Sequence, residues 1–593
     1  MPSVAQQQVD TKSYIAYRGF TTMNTQSARE ALAVNELSWC ENMQIVGPNQ
    51  LVVCNGPAPS IFNIAGTTFD SLFFANFTNP NTLVNADHII AFGADGSGWD
   101  FNLTANTSVK FALAGTFSLV PDCTTWSSQR VLIADATAGY CTWDGNVFVQ
   151  SGGASPHIVV TAGGGSFGAA PGVTLSAGSG GGAVAATAHS VITGGVVTAV
   201  VLDTAGTGYL AGDTITVTFS PATGAPAATA IVWPHFSLTA TTLAIFAGRV
   251  WIGGGRVLTW TGTKGFDDAA TADAAGSTTI TDADLVHSIT ALRSLNNFLY
   301  IFGDNSIKQI GTVTVSGSTT IFNIVTLSSD QGTPFPRGIA SYNRLILFAN
   351  KVGVYAVLGA SVEKVSDPMD GIFALMDFSQ PLQAAVQDLH TSLHTFLLLA
   401  RYKDPVKGIT RSIMLSFYKN KWFLASQGDA ITSIVTCPIN GIIETFSSSG
   451  SDITQMFQDP TKPVTILVQT ALSDNGAPHQ GKRAMRCSVS LNSNTLSTMN
   501  MTVDTENGST AFPFQTGGLV TWVNNLNQKV QFQNNSLQDV FWFSTGFLYQ
   551  RSKAAGTGVY LGLTLEGSFS GLIINGMVME YQDGTTMASR TAA

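Results

Sequence analysis

The residues of this chain that could do chemistry stand apart from one another. His390 and His394 are four residues apart, the spacing that on a helix would aim two imidazoles at one metal. Here they flank the start of an apolar strand with no third histidine nearby, which favours solvent or core roles. The other histidines, His88, His157, His189, His235, His287 and His479, are isolated. Asp267 and Asp268, and the group Asp282 and Asp284, could hold a cation, although loop aspartates more commonly build turns. Gly163–Gly168 satisfies G-x-G-x-x-G, but Ala-Ala-Pro-Gly follows it, so no helix N-terminus is offered to a pyrophosphate. Cys40, Cys54, Cys123, Cys141, Cys437 and Cys487 show no C-x-x-C spacing and read as buried small hydrophobes. A glycosidase needs two carboxyls about 5–10 Å apart across a cleft, and glutamate is scarce here. Phe541, Trp542 and Phe543 are the candidate for an exposed aromatic patch, with a core role preferred. No nucleophile elbow, Walker sequence or calcium loop occurs. The sequence therefore assigns no catalytic, cofactor-binding or metal-binding residue, and no enzymatic activity is expected.

The elements that would position any site follow a repeat. A polar bend, a short apolar strand, a Gly or Asn/Asp turn and a second strand recur at Asn343–Ala356, Asn297–Ile310 and Gly248–Trp260. Weaker copies lie at Gln129–Trp143, Gly441–Phe446, His88–Phe92 and Gln50–Cys54. Strand–turn–strand units repeating at about 40–50 residues are the mark of propeller blades. The strand centres fall near residues 52, 90, 132, 251, 300, 347, 398 and 443, predicting about seven to eight blades.

The long gap between 132 and 251 holds a Gly-, Ala-, Thr- and Val-rich stretch, residues 151–233, read as a small all-β insertion. Its segments Gly163–Thr174 and Gly206–Val217 echo each other across a β-branched run at Gly194–Leu202. After Asp459-Pro and Lys462-Pro the period stops. Regular alternation at Met499–Asp504, Val520–Val523 and Gln528–Phe532, with a late pair at Val559–Glu566 and Gly571–Tyr581, predicts a C-terminal β-sandwich. The expected organisation is an N-terminal arm with a short helix (1–43), a propeller in two parts (44–150 and 234–460), the insertion (151–233) and the sandwich (461–593). The helix is placed at Ser27–Glu30, which matches the capping-box pattern.

Of the 593 residues only 11% are charged, and 59 are glycine, which suits an all-β chain with tight turns. The formal charge is −9, and no basic run exceeds Gly481–Arg486, so tight groove binding of DNA is not expected. No segment approaches the roughly 20 apolar residues that cross a bilayer. Met1–Gln8 has neither a basic nor an apolar leader region, and synthesis in a cytosol is expected.

Several segments carry a resemblance. Tyr17–Asn24 with Asn35–Met43 resembles the opening of short-tailed phage tail proteins. Gly332–Tyr355 is similar to their mid-propeller segment, and Gly556–Gly567 with Gly576–Gln582 to their ending. The family is the tail nozzle, or hub, of podoviruses. The resemblance implies a virion protein made in the host bacterial cytoplasm. It further implies a six-subunit ring on a portal-bound adaptor, a fibre, spike or needle nearby, and genomic DNA passing without sequence-specific binding. It assigns no channel or interface residue by number, and no cofactor. A receptor-binding or glycan-cleaving tail protein is the alternative expectation, and an adhesin-type bacterial protein a more distant one.

Overall fold

A computed structural model describes residues 12–586, apart from 119, 235–239, 360, 390–392, 405–407, 427–429, 494–497, 516–517, 521, 524, 527–528, 531, 534–538, 541 and 545. The chain is a seven-bladed propeller joined to a β-sandwich. Six blades are separate four-stranded antiparallel sheets; the seventh forms one end of a ten-stranded sheet. Their first strands, in chain order, are Phe69–Thr78, Asp122–Trp126, Thr242–Phe246, Ile289–Leu295, Ile339–Tyr342, Gln383–Leu389 and Ile431–Ile439. Numbered in that order, blades 1 to 5 are simple meanders. Blade 6 continues through Leu393–Lys403, Thr410–Tyr418 and Lys421–Ala425. Blade 7 is completed from the other end of the chain, by Ser60–Asn63 pairing with Asp452–Gln455.

The recurring polar bend of the sequence is a hairpin turn. Ser127-Ser128, Ala247-Gly248, Asn296-Asn297, Asn343-Arg344 and Asn440-Gly441 each place two successive residues at positive φ. That is the backbone of a type I′ turn, whose twist matches the strands it joins and which Asn and Gly adopt most readily. The next bend is a side-chain-capped one. Asp135 accepts backbone N–H bonds from Thr137 at 2.7 Å and Ala138 at 2.8 Å, and Asn350 accepts them from Val352 at 2.8 Å and Gly353 at 3.1 Å. In blades 2 and 5 these two turns bracket the apolar second strand, and the positive-φ bend recurs in blades 3, 4 and 7, which is why the period is visible.

The insertion is a six-stranded sheet in the order Val159–Ala162, Ala227–Ala230, Ile215–Ser220, Gly172–Leu175, Thr187–Thr193, Val196–Thr204. The chain leaves blade 2 and returns to blade 3 through an antiparallel bridge between Ala154 and Val232. The two echoing segments end in neighbouring antiparallel strands, with Leu175 opposite Val217 and Gly172 opposite Ser220. The last strand curls back on the first, Val197 N–H donating to Gly163 O at 2.9 Å. The Gly163–Gly168 stretch is a loop between strands. Trp233, fully buried, anchors the module: it stacks on Tyr140 at 5.0 Å, and its indole N–H donates to Tyr140 O at 2.8 Å.

The sandwich draws on both ends of the chain. One sheet holds Met43–Val46, Gln50–Val53, Leu572–Thr586, Gln480–Ser493 and Gly546–Lys553, with Lys12–Arg18 added against Leu572–Thr586. The other runs from blade 6 through Leu37–Glu41, Val464–Thr470, Leu561–Phe569 and Thr498–Thr505 to Gly508–Gln515. The link is a parallel step from Lys421–Ala425 to Leu37–Glu41, with Glu41 beside Leu424. A single apolar core therefore runs from Ile15, Leu563 and Met579 to Phe396, Leu415 and Leu347.

Two expectations are corrected here. Gln50–Cys54, read as a blade, is a sandwich hairpin; its alternating burial marks a half-buried strand and says nothing of which sheet holds it. The arm of residues 1–43 becomes sandwich strands from Lys12, and its helix shrinks to one 3-10 turn, Arg29–Ala31. There the Arg29 side chain reaches away to Asp504 at 2.7 Å and Thr470 O at 2.6 Å. The late strand pair, Leu561–Phe569 and Leu572–Thr586, contributes one strand to each facing sheet of the sandwich.

Candidate functional site: the propeller axis

The first strands of all seven blades line a cavity of about 610 Å³ on the propeller axis. Strands at the centre of a ring have unpaired inner edges, and backbone N–H groups there must find other partners. They find side chains of neighbouring blades. Leu72 N–H donates to Ser433 Oγ at 3.2 Å, Leu292 N–H to Thr242 Oγ1 at 2.9 Å, and Ile434 N–H to Gln383 Oε1 at 3.2 Å. Leu243 N–H donates to Asp122 at 3.3 Å, and Ala384 N–H to Arg337 O at 2.8 Å. The result is a polar belt that ties blade to blade. Ser71 is buried in blade 1, and its hydroxyl has no hydrogen-bond partner in the structure.

Two arginines cross this belt. Arg293 donates to Asp122 at 3.0 Å, to Leu292 O at 2.7 Å and to Pro336 O at 2.8 Å. Asp122 also accepts the Thr242 hydroxyl at 2.5 Å. Arg337, on the segment leading into blade 5, spans the axis and donates to Leu72 O at 3.0 Å and Pro121 O at 3.2 Å. Burial pulls the Arg337 guanidinium below its ordinary pKa, though an arginine stays charged at any physiological pH. The segment leading to Arg337 packs closely on blade 4 at Gly332, where a Cβ would stand 2.3 Å from Gly303 O. The propeller's own channel is thus closed at this level by a guanidinium. No sequence signal marked Arg293 or Arg337, because each acts through blades far away along the chain.

The residues singled out in the sequence are not brought together. Asp267 accepts the Ser155 hydroxyl and the His157 ring at 3.3 Å, clasping the base of the insertion. Asp268 caps a turn through Lys264 N–H at 3.2 Å and Ala270 N–H at 3.0 Å. Asp282 is held by the buried Lys308 ammonium at 2.5 Å, with Asp284 at 3.9 Å, so the cation beside this pair is a lysine of the chain itself. His394 pairs with Asp388 at 2.5 Å, while His390 lies outside the described residues. Phe541 and the side chains of Trp542 and Phe543 lie outside them too. Among the described residues, no group of three or more His, Cys, Asp or Glu converges as a metal site would require.

The basic run divides. Lys482 is buried and donates to three carbonyls, Ala477 O at 2.9 Å, Gln480 O at 3.2 Å and Val559 O at 3.0 Å, while Arg483 and Arg486 are exposed. Burial lowers the Lys482 pKa. All six cysteines are free and buried, and no helix among the described residues is long and apolar enough to cross a membrane.

No family model matches the chain, and no curated protein matches it. Solved structures do. A chain from an S. cerevisiae complex of dbp5, nup159 and gle1 matches at 7% identity and TM-score 0.30, covering 68% of this chain and 95% of that one. The Myceliophteria thermophila Cps50 (Swd1) β-propeller domain matches at 12% identity and TM-score 0.26, covering 67% and 99%. The WD40 domain of SCAP from fission yeast matches at 8% identity and TM-score 0.24, covering 87% and 92%. The fold class rests on the blade pairings themselves: an all-β propeller with a β insertion and a β-sandwich.

Proposed function

We propose that this protein is a structural subunit of a short-tailed phage tail, the nozzle. In this reading six copies form a ring that continues the portal–adaptor channel, retains the packaged genome and conducts it at ejection. The ring docks on the tail adaptor and carries a fibre, spike or needle.

The observation that carries the reading concerns the terminal segments that bear the resemblance. Distant in sequence, they pair strand to strand, with Tyr17 opposite Met577 and Arg18 opposite Gly576. The Tyr17 hydroxyl then donates across the sandwich to Leu561 O at 2.8 Å. These two terminal segments belong to one folded unit, the sandwich, while the third, Gly332–Tyr355, lies in blade 5 and its lead-in. The closed axis adds a constraint. A duplex cannot pass Arg337, so the conduit in this reading is the bore enclosed between copies, and a heterologous ring is the assembly that encloses one. A net charge of −9 suits a bore that lets phosphates slide rather than holding them.

The test is electron cryomicroscopy of particles of the encoding phage, averaged about the tail axis. Six copies below the adaptor around the DNA path are expected. Copies confined to peripheral spikes, with polysaccharide cleavage by the purified protein, would establish the receptor-binding or glycan-cleaving alternative instead. A bore lined by lysine and arginine would sink the sliding argument.

A further inference from the structure

We propose that the axial cavity of the propeller is a binding site for a small oxyanion, a phosphate-, sulfate- or carboxylate-sized group held at Arg293 and Arg337. The inference stands on the propeller alone and is independent of the nozzle reading.

Charge around the cavity does not balance. Its lining includes two guanidiniums, Arg293 and Arg337, against one carboxylate, Asp122. Asp122 is already engaged by Arg293 and by the Thr242 hydroxyl. The hydrogen-bond partners of Arg337 are the neutral oxygens of Leu72 and Pro121, so its charge is met only at a distance by Asp122, which Arg293 already shares. The adjoining cavity between blades 6 and 7 adds Asp70 and Arg401, one of each sign, so the excess positive charge remains.

Position completes the argument. Arg337 lies deep in the molecule yet keeps accessible surface, and the cavity is what that surface meets. Arg293 retains 26% of its side-chain surface and lines the same space. A guanidinium presents five N–H donors in a planar fork matched to oxyanions. A cation largely withdrawn from water, with donors left over and facing a solvent-connected cavity that an ion can enter, is a site for a counter-ion. Thr124, Thr125, Ser294 and Thr436 line the cavity and offer further hydroxyl donors.

The experiment is calorimetric titration of the full chain with phosphate, sulfate and acetate in turn, at constant ionic strength set by chloride. Saturable binding of at least one of them at one site per chain is expected, weakened ten-fold or more in Arg293→Gln and unchanged in the exposed pair Arg483→Gln/Arg486→Gln. Absence of saturable binding overturns the proposal, as does loss in the exposed pair with retention in Arg293→Gln. If Arg293→Gln does not fold, crystals of the full chain soaked in selenate decide. An anomalous peak within hydrogen-bond distance of Arg293 or Arg337 supports the site, and an empty cavity with selenate bound elsewhere overturns it.

Discussion

Replacing Glu41 by Gln tests whether propeller and sandwich are one mechanical body. Glu41 lies at the end of the sandwich strand Leu37–Glu41 and receives both ends of the Arg411 guanidinium of blade 6, at 2.5 and 2.9 Å. Both side chains are about one-tenth exposed, Arg411 at 9% and Glu41 at 10%, so solvent screens the pair little. Removing one partner of a buried ion pair costs about 3–5 kcal/mol, since the other charge stays buried. Asp404 stands 3.6 Å from the Arg411 Nε and takes up part of that loss, which brings the expected cost to about 2–3 kcal/mol. Hydrogen exchange read by mass spectrometry is the assay, because it reports local opening. Protection should fall together in Leu37–Glu41 and Thr410–Ala425, the strands joined at this point, and the double variant with Arg411→Met should show coupling of about 1–3 kcal/mol. A fall confined to one side, or a cost below about 0.5 kcal/mol, would refute the claim that the shared sheet binds the two parts.

Three further outcomes follow from the packing and the titrating groups. Trp233→Ala removes a fully buried indole, its stack on Tyr140 and its hydrogen bond, and should destabilise the docked insertion by about 3–5 kcal/mol; faster limited proteolysis at residues 151–158 checks it, and an unchanged digest contradicts it. The Asp267 carboxylate raises the His157 pKa above its ordinary value, so the clasp is complete below the titration of the unfolded imidazole and drains away as pH rises through the raised folded value. Melting of wild type and His157→Gln should therefore differ most near pH 5.5 and converge by pH 8.5, and a gap that widens with pH would reverse the sign. Burial pushes the Cys54 and Cys487 thiols up to about 12 and raises Cys40, Cys123, Cys141 and Cys437 as well. An aromatic disulfide reagent at pH 8 should find no fast thiol in the native protein and all six after denaturation; one fast thiol beforehand would contradict the burial.

The blade period was legible because turn chemistry is local. Of the strand centres read from sequence, those near 90, 132, 251, 300, 347, 398 and 443 each fall in the second strand of a blade, which in blades 2 and 5 is bracketed by a positive-φ bend and a side-chain-capped turn. The centre near 52 fails for a reason equally physical. Gln50–Val53 buries alternate residues as any half-covered strand does, but beyond its hairpin mate Met43–Val46 its other neighbour is Leu572–Thr586, more than five hundred residues away. Axial residues were invisible for the same reason. Arg337 reaches Leu72 across 265 positions, a separation no window of sequence can weigh. Asp282 and Asp284 behave as loop aspartates do, Asp282 accepting the Asp284 N–H at 3.2 Å, while the cation beside them is Lys308, which no local window could show.

The sandwich also acts as the lock of the propeller. Blade 7 is closed by Ser60–Asn63 against Asp452–Gln455, through three residue pairs, Asn63 with Asp452, Phe62 with Ile453 and Ser60 with Thr454. A contact that short would open readily were its two chain ends free. They are not free. The chain before Ser60 enters the sandwich through Met43–Val46 and Gln50–Val53, and the chain after Gln455 enters it through Val464–Thr470. The Gly56–Asp459 bridge holds the two crossings together, with N–H to O distances of 3.0 Å in both directions. Both ends of the weak strand pair are thus tethered within a few residues to one apolar core, and its closure becomes intramolecular at high effective concentration. Opening the ring then requires opening the sandwich.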